Sequence, residues 1–464
     1  MSGIISTGYR KLHGMVKILF MSVFALRFPL CFNSSMKSRA LIFAILITVA
    51  TLILSGCGYM KMTFKRAHAN RWDSLRAQKA AYPESNFIVL GKVVMQEQSD
   101  LPVAVVAVSD DLRKDEVVDM FFLNSPSYYT LYLPPGQYRL IAFADLNENR
   151  RFETEEAIGR YDTSGILVLE EGEGGVVEGA DIHADASRPF SADFRFNKRI
   201  RGNLSAMDLA GITKPLDDSL FNQRMGEIGL YDPANFMKRV PSLLYTVEGD
   251  RSRIPVLFVH GITGTPANWK HIASRLPEGF HPWFFYYPSG ESLEKNAELL
   301  YIVMDDILPF EPIIIVSHSM GGLVVKAALD RYSRERRSDY LRMYISIAVP
   351  YGGVERASAA RMSDVSAPSW LDLIPGSDFL NRYVAGGQMP DHTAFHLIFG
   401  YGDEEGRCSD GNIDLVSQLE PLTESYAASV YGYNLSHTDL LTDEAVSERI
   451  NMLLRSLVAT QQEK

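Results

Sequence analysis

Disulfide chemistry is all but excluded, because only three cysteines occur in 464 residues. Cys31 and Cys57 fall in an N-terminal region with the marks of a targeting segment, which leaves Cys408 alone in the remainder. No bridge can form within that remainder, so its fold must rest on buried cores. At 46% hydrophobic composition the chain can build two or three of them. Positive charge is also in short supply: a formal net charge of -10 offers no basic surface to nucleic acid. Internal repeats and long low-complexity tracts are absent. Histidine is sparse at ten residues, and only His392, His396 and His437 follow residue 319.

What is present centres on Ile314-Ile315-Val316-Ser317-His318-Ser319-Met320-Gly321-Gly322-Leu323-Val324. A mostly β-branched run at 312–316, suited to a parallel strand buried on both faces, gives way to small polar residues and then to a helix-compatible stretch. That is the order of a nucleophile elbow, where a serine hydroxyl is held exposed on a sharp strand-to-helix turn within reach of a histidine. Small residues must flank such a serine, and Ser317 stands where the usual Gly-x-Ser-x-Gly pattern has its first glycine. The following helix would point its N-terminal amides at a forming oxyanion, the Met320 amide first. A Ser-x-Ser-x-Gly pentapeptide by itself also fits a plain strand-loop-helix turn, so the neighbouring features decide.

Upstream, Ile254-Pro255-Val256-Leu257-Phe258-Val259 reads as a second buried strand, ending in His260-Gly261-Ile262-Thr263-Gly264-Thr265. A Gly-containing loop at this place supplies a second oxyanion amide, and Ile262 is the candidate. His260 precedes the serine, which argues for a brace of the loop rather than a base. Downstream, the order nucleophile, acid, base leaves the three later histidines. His437 fits best, in the polar loop Tyr433-Asn434-Leu435-Ser436-His437-Thr438-Asp439-Leu440. His396 lies in a strand-like stretch and reads as a packed sheet residue, and His392 beside Pro390 and Asp391 reads as a solvated turn. For the acid, Cys408-Ser409-Asp410-Gly411-Asn412-Ile413-Asp414 offers Asp410 first and Asp414 second. A tight Asp-Gly turn can aim a carboxylate back at an imidazole and fix its tautomer, although a solvated turn aspartate is the plain alternative.

From about Ile254 to the C-terminus these residues together resemble the α/β-hydrolases of the bacterial lipase and esterase group. The resemblance implies an α/β-hydrolase fold over 254–464, with a mainly parallel sheet flanked by helices and a cap at about 355–393. It also implies a Ser319, Asp410, His437 triad, an oxyanion hole of the Ile262 and Met320 amides, and acyl transfer from an ester or lipid through an acyl-serine. Water is the usual acceptor. An acyltransferase would use the same triad, and a non-catalytic envelope binding lipoprotein would keep the fold without the chemistry. Val349-Pro350-Tyr351-Gly352-Gly353 falls where such lipases carry a Pro-x-x-Gly-type turn. Some of them bind calcium near an Asp two residues after the catalytic His. Asp439 holds that position without a clear partner ligand, so neither a metal nor another cofactor is expected. The cap segment carries Trp370, Leu371, Leu373, Ile374, Phe379, Leu380 and Tyr383, which suit an acyl chain or the packing of a helical insertion equally well.

Residues 40–54 form a continuous apolar stretch preceded by Lys37 and Arg39 and followed by Ser55-Gly56-Cys57. So short a run with basic flanks reads as a signal peptide rather than a spanning helix. Leu54-Ser55-Gly56-Cys57 resembles a bacterial lipobox, which implies that Cys57 is lipidated and becomes the mature N-terminus. Region 1–57 is thus the expected signal and lipobox, with Met36 a candidate true start. The expected location is the bacterial cell envelope, with membrane attachment through the lipid. Gly58 after the cysteine fits the outer membrane of a diderm cell.

Residues 58–85, charged and alanine-containing, read as a tether. Over 86–196, short alternating apolar runs separated by turns such as Pro134-Pro135-Gly136 predict a small antiparallel β-sandwich. Leu133-Pro134-Pro135-Gly136-Gln137-Tyr138-Arg139-Leu140 resembles transthyretin-like or carboxypeptidase-regulatory-like modules, for which an envelope protein would be the partner. Within the module, Asp145-Leu146-Asn147-Glu148-Asn149-Arg150-Arg151 with Glu156 spaces oxygens like a calcium loop. Arg150 replaces the glycine of the sharp turn and two arginines repel a cation, so a solvated hairpin loop is the expectation. Residues 197–253 connect the modules and are expected to pack on the second.

Overall fold

The computed structural model describes residues 75, 79 and 83–462, apart from 96–99, 111–115, 163–164, 173, 201–210, 241, 305–312, 336–340, 363–365, 404–405 and 407. The expected signal and lipobox region with Cys57, and most of the expected tether, lie outside the described residues.

Apolar runs of six or seven residues that are buried on both faces can only stack as interior strands of a sheet covered by helices. The C-terminal module does this with β1 (Ile212–Thr213), β2 (Leu244–Thr246), β3 (Ile254–Val259), β4 (Phe280–Phe285), β5 (Ile313–His318), β6 (Leu341–Ile347), β7 (Ala394–Gly400) and β8 (Ser429–Tyr433). Their order across the sheet is β1-β2-β4-β3-β5-β6-β7-β8. β2 runs antiparallel to β4, and every other neighbouring pair is parallel. All residues of β4 and β5 are buried. The chief helices are α1 (Gln223–Tyr231), α2 (Leu293–Ile302), α3 (Gly321–Arg334) and α4 (Glu444–Gln462). Because β3 and β5 are neighbours while β4 lies on the other side of β3, the loops leaving β3 and β5 open into one crevice at the carboxyl edge of the sheet.

β1, β2 and α1 lie upstream of Ile254. The stretch expected to connect the modules therefore supplies the first two strands of the sheet itself. Two- and three-residue strands are too short to show a period, which is why the boundary at 254 falls inside the folded module.

The N-terminal module is a nine-stranded sheet whose main path runs Val117–Leu123, Val103–Ser109, Gly136–Ala144, Ala157–Tyr161, Ile182–Ala184, Phe87–Met95, Tyr128–Leu133. Its pairings are antiparallel except that Phe87–Met95 pairs parallel with both Ile182–Ala184 and Gly175–Val177. Partners so distant in sequence are joined by no hairpin, so nothing forces them to run in opposite directions. Alternation splits the apolar residues between two cores: Val103, Val105 and Ala107 join Val89, Leu131 and Leu140, whereas Ala104, Val106 and Val108 join Phe143, Phe152, Phe194 and Phe196.

Strand Phe87–Met95 divides in the same way. Val89 and Val93 point into the sandwich, while Ile88 and Leu90, with Tyr132, join the core of the C-terminal module. A buried ion cluster reinforces the contact. Asp119 lies 2.8 Å from the Lys79 ammonium, pairs also with Lys238, and accepts the Tyr132 amide at 2.8 Å. Burial alone would raise its pKa, but the two ammonium groups outweigh that and hold the carboxyl below its ordinary value. Both modules belong to one compact unit.

The calcium-like spacing serves a hairpin. Asp145 accepts the amides of Asn149 and Arg150, each at 3.0 Å, and Glu156 accepts those of Leu146 (3.1 Å), Asn147 (3.4 Å) and Glu153 (3.0 Å). Glu148 and Arg150 take left-handed backbone at φ +57° and +60° to let this happen. Among the described residues no three His, Cys, Asp or Glu side chains converge as a metal site.

Candidate active site

Ser319 caps β5 with φ +55°, a left-handed conformation costing a non-glycine residue about 1 kcal/mol or more. Two backbone bonds hold it there: the Ser319 amide donates to the Ile347 carbonyl and the Gly322 amide to the Ser319 carbonyl, both at 2.9 Å. The glycines around it permit close approach. A Cβ on Gly321 would collide with the His260 carbonyl, one on Gly322 with the Val349 side chain, and one on Gly261 would stand 2.8 Å from the Ser319 Cβ. Ser317, in place of the usual first glycine, is buried and shares a 2.9 Å hydrogen bond with the Tyr344 hydroxyl.

His437 and Asp410 meet as a buried pair, with Nδ1 to Oδ2 at 2.6 Å. The other carboxylate oxygen accepts the amides of Asn412 (2.9 Å) and Ile413 (2.7 Å), so the Asp-Gly turn fixes its own carboxylate. A further bond from the His437 amide to the Asp410 carbonyl at 2.9 Å locks the two loops together. An ionised carboxylate only accepts, so the pairing assigns the imidazole proton to Nδ1 and leaves Nε2 with a free lone pair. His318 links this pair to the elbow: its Nε2 donates to the His437 carbonyl at 3.0 Å, and the two rings lie 4.5 Å apart.

The other sequence candidates are placed elsewhere. Asp414 is exposed and opens the short helix Leu415–Gln418. His396 is buried in β7 with Nδ1 2.7 Å from the Ser429 hydroxyl, and His392 sits exposed in a turn. Asp439 is exposed and accepts the Ser436 hydroxyl at 2.6 Å.

The loop after β3 lies against the serine through Gly261. Among the described residues, the amides of Ile262 and Met320 donate to no protein group. His260 braces the loop, Nδ1 donating to the Gly261 carbonyl at 2.8 Å while the ring stacks on Tyr287 at 4.3 Å. The Tyr287 hydroxyl donates to the His260 carbonyl at 2.7 Å. Burial lowers the His260 pKa to about 4, so the ring is neutral near pH 7.

A mainly parallel sheet of this strand order, with a left-handed serine between β5 and α3 and a His-Asp pair on the loops after β8 and β7, is the architecture of one fold. The chain has the α/β-hydrolase fold. The family model for lecithin:cholesterol acyltransferase matches residues 301–367, from the end of α2 through the elbow into the cap. The human lysosomal phospholipase A and acyltransferase (Homo sapiens) is 26% identical over 95 residues, 20% of this chain, and the match spans 19% of that relative's length. Among solved structures, the mature Bacillus licheniformis lipase BlEst2 is 18% identical over 45% of this chain and 94% of its own, with a TM-score of 0.36. The metagenomic carboxyl esterase MGS0156 is 14% identical over 56% of this chain and 96% of its own, also at 0.36.

Several residues that position the candidate site carry no motif. Gln418, buried, donates to the carbonyls of Gly400 (3.0 Å) and Ile413 (3.1 Å) and accepts the Gly400 amide at 3.0 Å, tying the acid loop to the end of β7. Ser417 donates to the Gly353 carbonyl at 2.6 Å and so joins that loop to the turn after β6. Their only sequence signal is polarity in a short stretch beside the acid. In the cap, Leu373, Phe379, Leu380 and Val384 are part of the main core, while Leu371 is 42% exposed. Its apolar residues thus serve mostly as packing.

Proposed function

We propose that the hydrolase cleaves carboxylic esters of lipid type through Ser319, His437 and Asp410. The observation that carries this is the buried His437–Asp410 pair, locked through His318 to a serine in left-handed backbone. Ser319 Oγ attacks the ester carbonyl carbon as its proton passes to His437 Nε2. Asp410 stabilises the imidazolium through Nδ1. The amides of Ile262 and Met320 receive the oxyanion, a type of contact worth about 3 kcal/mol per donor in comparable sites. Collapse expels the alcohol, which takes the proton from Nε2. Water then repeats the sequence on the acyl-serine, releasing the acid and restoring Ser319.

A lipid ester is favoured over a small one by the lecithin:cholesterol acyltransferase match and by relatives named as phospholipases. Those names also favour a second reading, transfer of the acyl group to an alcohol. The lipobox resemblance at Cys57 supports attachment to the envelope membrane through a lipid.

Fluorophosphonate labelling of membrane and soluble fractions, with peptide mapping, tests the proposal. Label on Ser319 is expected in the membrane fraction, absent in Ser319→Ala and His437→Ala. No label on folded protein sinks the hydrolase, and label confined to the soluble fraction sinks the anchor. Products formed with and without added alcohol then separate hydrolysis from transfer.

A further inference from the structure

Glu291 carries a carboxylate into the junction of the two modules at 0% exposure. Burying a charge there costs several kcal/mol unless it is paired and hydrogen-bonded, and both modules supply partners: Tyr132 from the sandwich, Lys295 and the Ser292 amide (3.1 Å) from the C-terminal module. The Tyr132 hydroxyl donates to Oε2 at 2.9 Å. The Lys295 ammonium lies 3.4 Å from Oε1 and also donates to the carbonyls of Glu84 (3.0 Å) and Asn86 (2.7 Å), where the chain enters the first sandwich strand. Apolar contact through Ile88, Leu90 and Tyr132 already joins the modules, so adhesion alone does not require this network.

The network fixes a loop that reaches the reacting centre. Two residues before Glu291, the Ser289 hydroxyl, also buried, accepts the Thr263 amide at 3.1 Å. Thr263 follows Ile262 and is itself left-handed at φ +53°. The same loop is pinned by the Gly290 amide to the Gly229 carbonyl at 3.0 Å and by Asn296 to the Pro288 carbonyl at 3.1 Å. We infer that Tyr132, Glu291 and Ser289 are positioning residues: the sandwich, through them, sets where the Ile262 amide points. The inference rests on the serine-hydrolase reading of Ser319.

An amide displaced by a fraction of an ångström loses transition-state stabilisation while leaving ground-state binding intact, so the effect belongs in kcat and not in KM. The test uses the full chain with p-nitrophenyl butyrate and, separately, the rate constant of fluorophosphonate labelling. Ser289→Ala and Tyr132→Phe should each lower kcat and the labelling rate by about tenfold at unchanged KM. Ser289→Thr, which keeps the acceptor, should restore both. Wild-type kcat and labelling in Ser289→Ala and Tyr132→Phe, with only the melting temperature lowered, would reduce the network to adhesion. If Tyr132→Phe does not fold, the Ser289 pair decides. A wild type that takes no label on Ser319 defeats the hydrolase reading, whereas a labelled wild type with unaffected variants defeats this inference alone.

Discussion

His260 and His318 are neutral imidazoles packed on either side of the serine. Burial lowers the pKa of both, that of His260 to about 4. An unfolded imidazole titrates near pH 6.5, so between the two values the unfolded chain binds protons that the folded chain refuses. Stability is therefore complete above about pH 6.5 and falls as the pH drops toward 4. Calorimetric melting temperatures should decline across that window, less steeply in His260→Gln than in wild type; an identical slope would contradict the assignment. Chain order was enough to mark His260 as a brace rather than a base. His318 left no such trace, because it occupies the variable place in the elbow motif and its partner is a backbone carbonyl far along the chain. The meeting of Asp410 with His437 was legible for the opposite reason: the Asp-Gly turn that aims the carboxylate is local.

Among the elements, the loop after β3 is wedged between α1 and the loop after β4. Gly226 of α1 lies so close that a Cβ would collide with the Thr263 carbonyl. Gly226→Ala must push the helix or the loop aside and is expected to cost about 1–3 kcal/mol in urea unfolding, with a fall in kcat. Gly172→Ala, where a Cβ meets nothing within 4 Å, should change neither and serves as the control. β3 and β5 were legible because each is a six-residue run buried almost throughout, a pattern that only an interior strand satisfies. β1 and β2 were not, since a strand of two or three residues is defined by its neighbours alone. α1 was hidden with them in the stretch taken as a connection.

For the whole molecule, the short alternating runs over 86–196 and the longer buried-type runs from 254 onward read as two kinds of structure, without a sign of their union. A β-branched strand with apolar residues on both faces looks the same whether its second face meets another sheet of its own module or a different module. Here Ile88, Leu90 and Tyr132 are part of the hydrolase core. The two modules should therefore melt in one cooperative transition. Ile88→Ala, a cavity substitution costing about 2–5 kcal/mol, should lower the midpoint of that single transition and the midpoint for loss of the proposed ester-cleaving activity together. Two separated calorimetric peaks would show the modules to be thermodynamically independent.

The division of strand Phe87–Met95 between two cores also has a consequence in time. Glu291, the partner of the Tyr132 hydroxyl, comes 159 residues later in the chain. At roughly 5–20 residues per second, on the order of 10 to 30 seconds of synthesis separate Tyr132 from its partner, and over part of that time the sandwich side of the contact has nothing to cover it. Until Glu291 and its neighbours join it, the earlier half of the protein presents an adhesive surface, and the yield of folded protein depends on what shields that surface before the rest arrives.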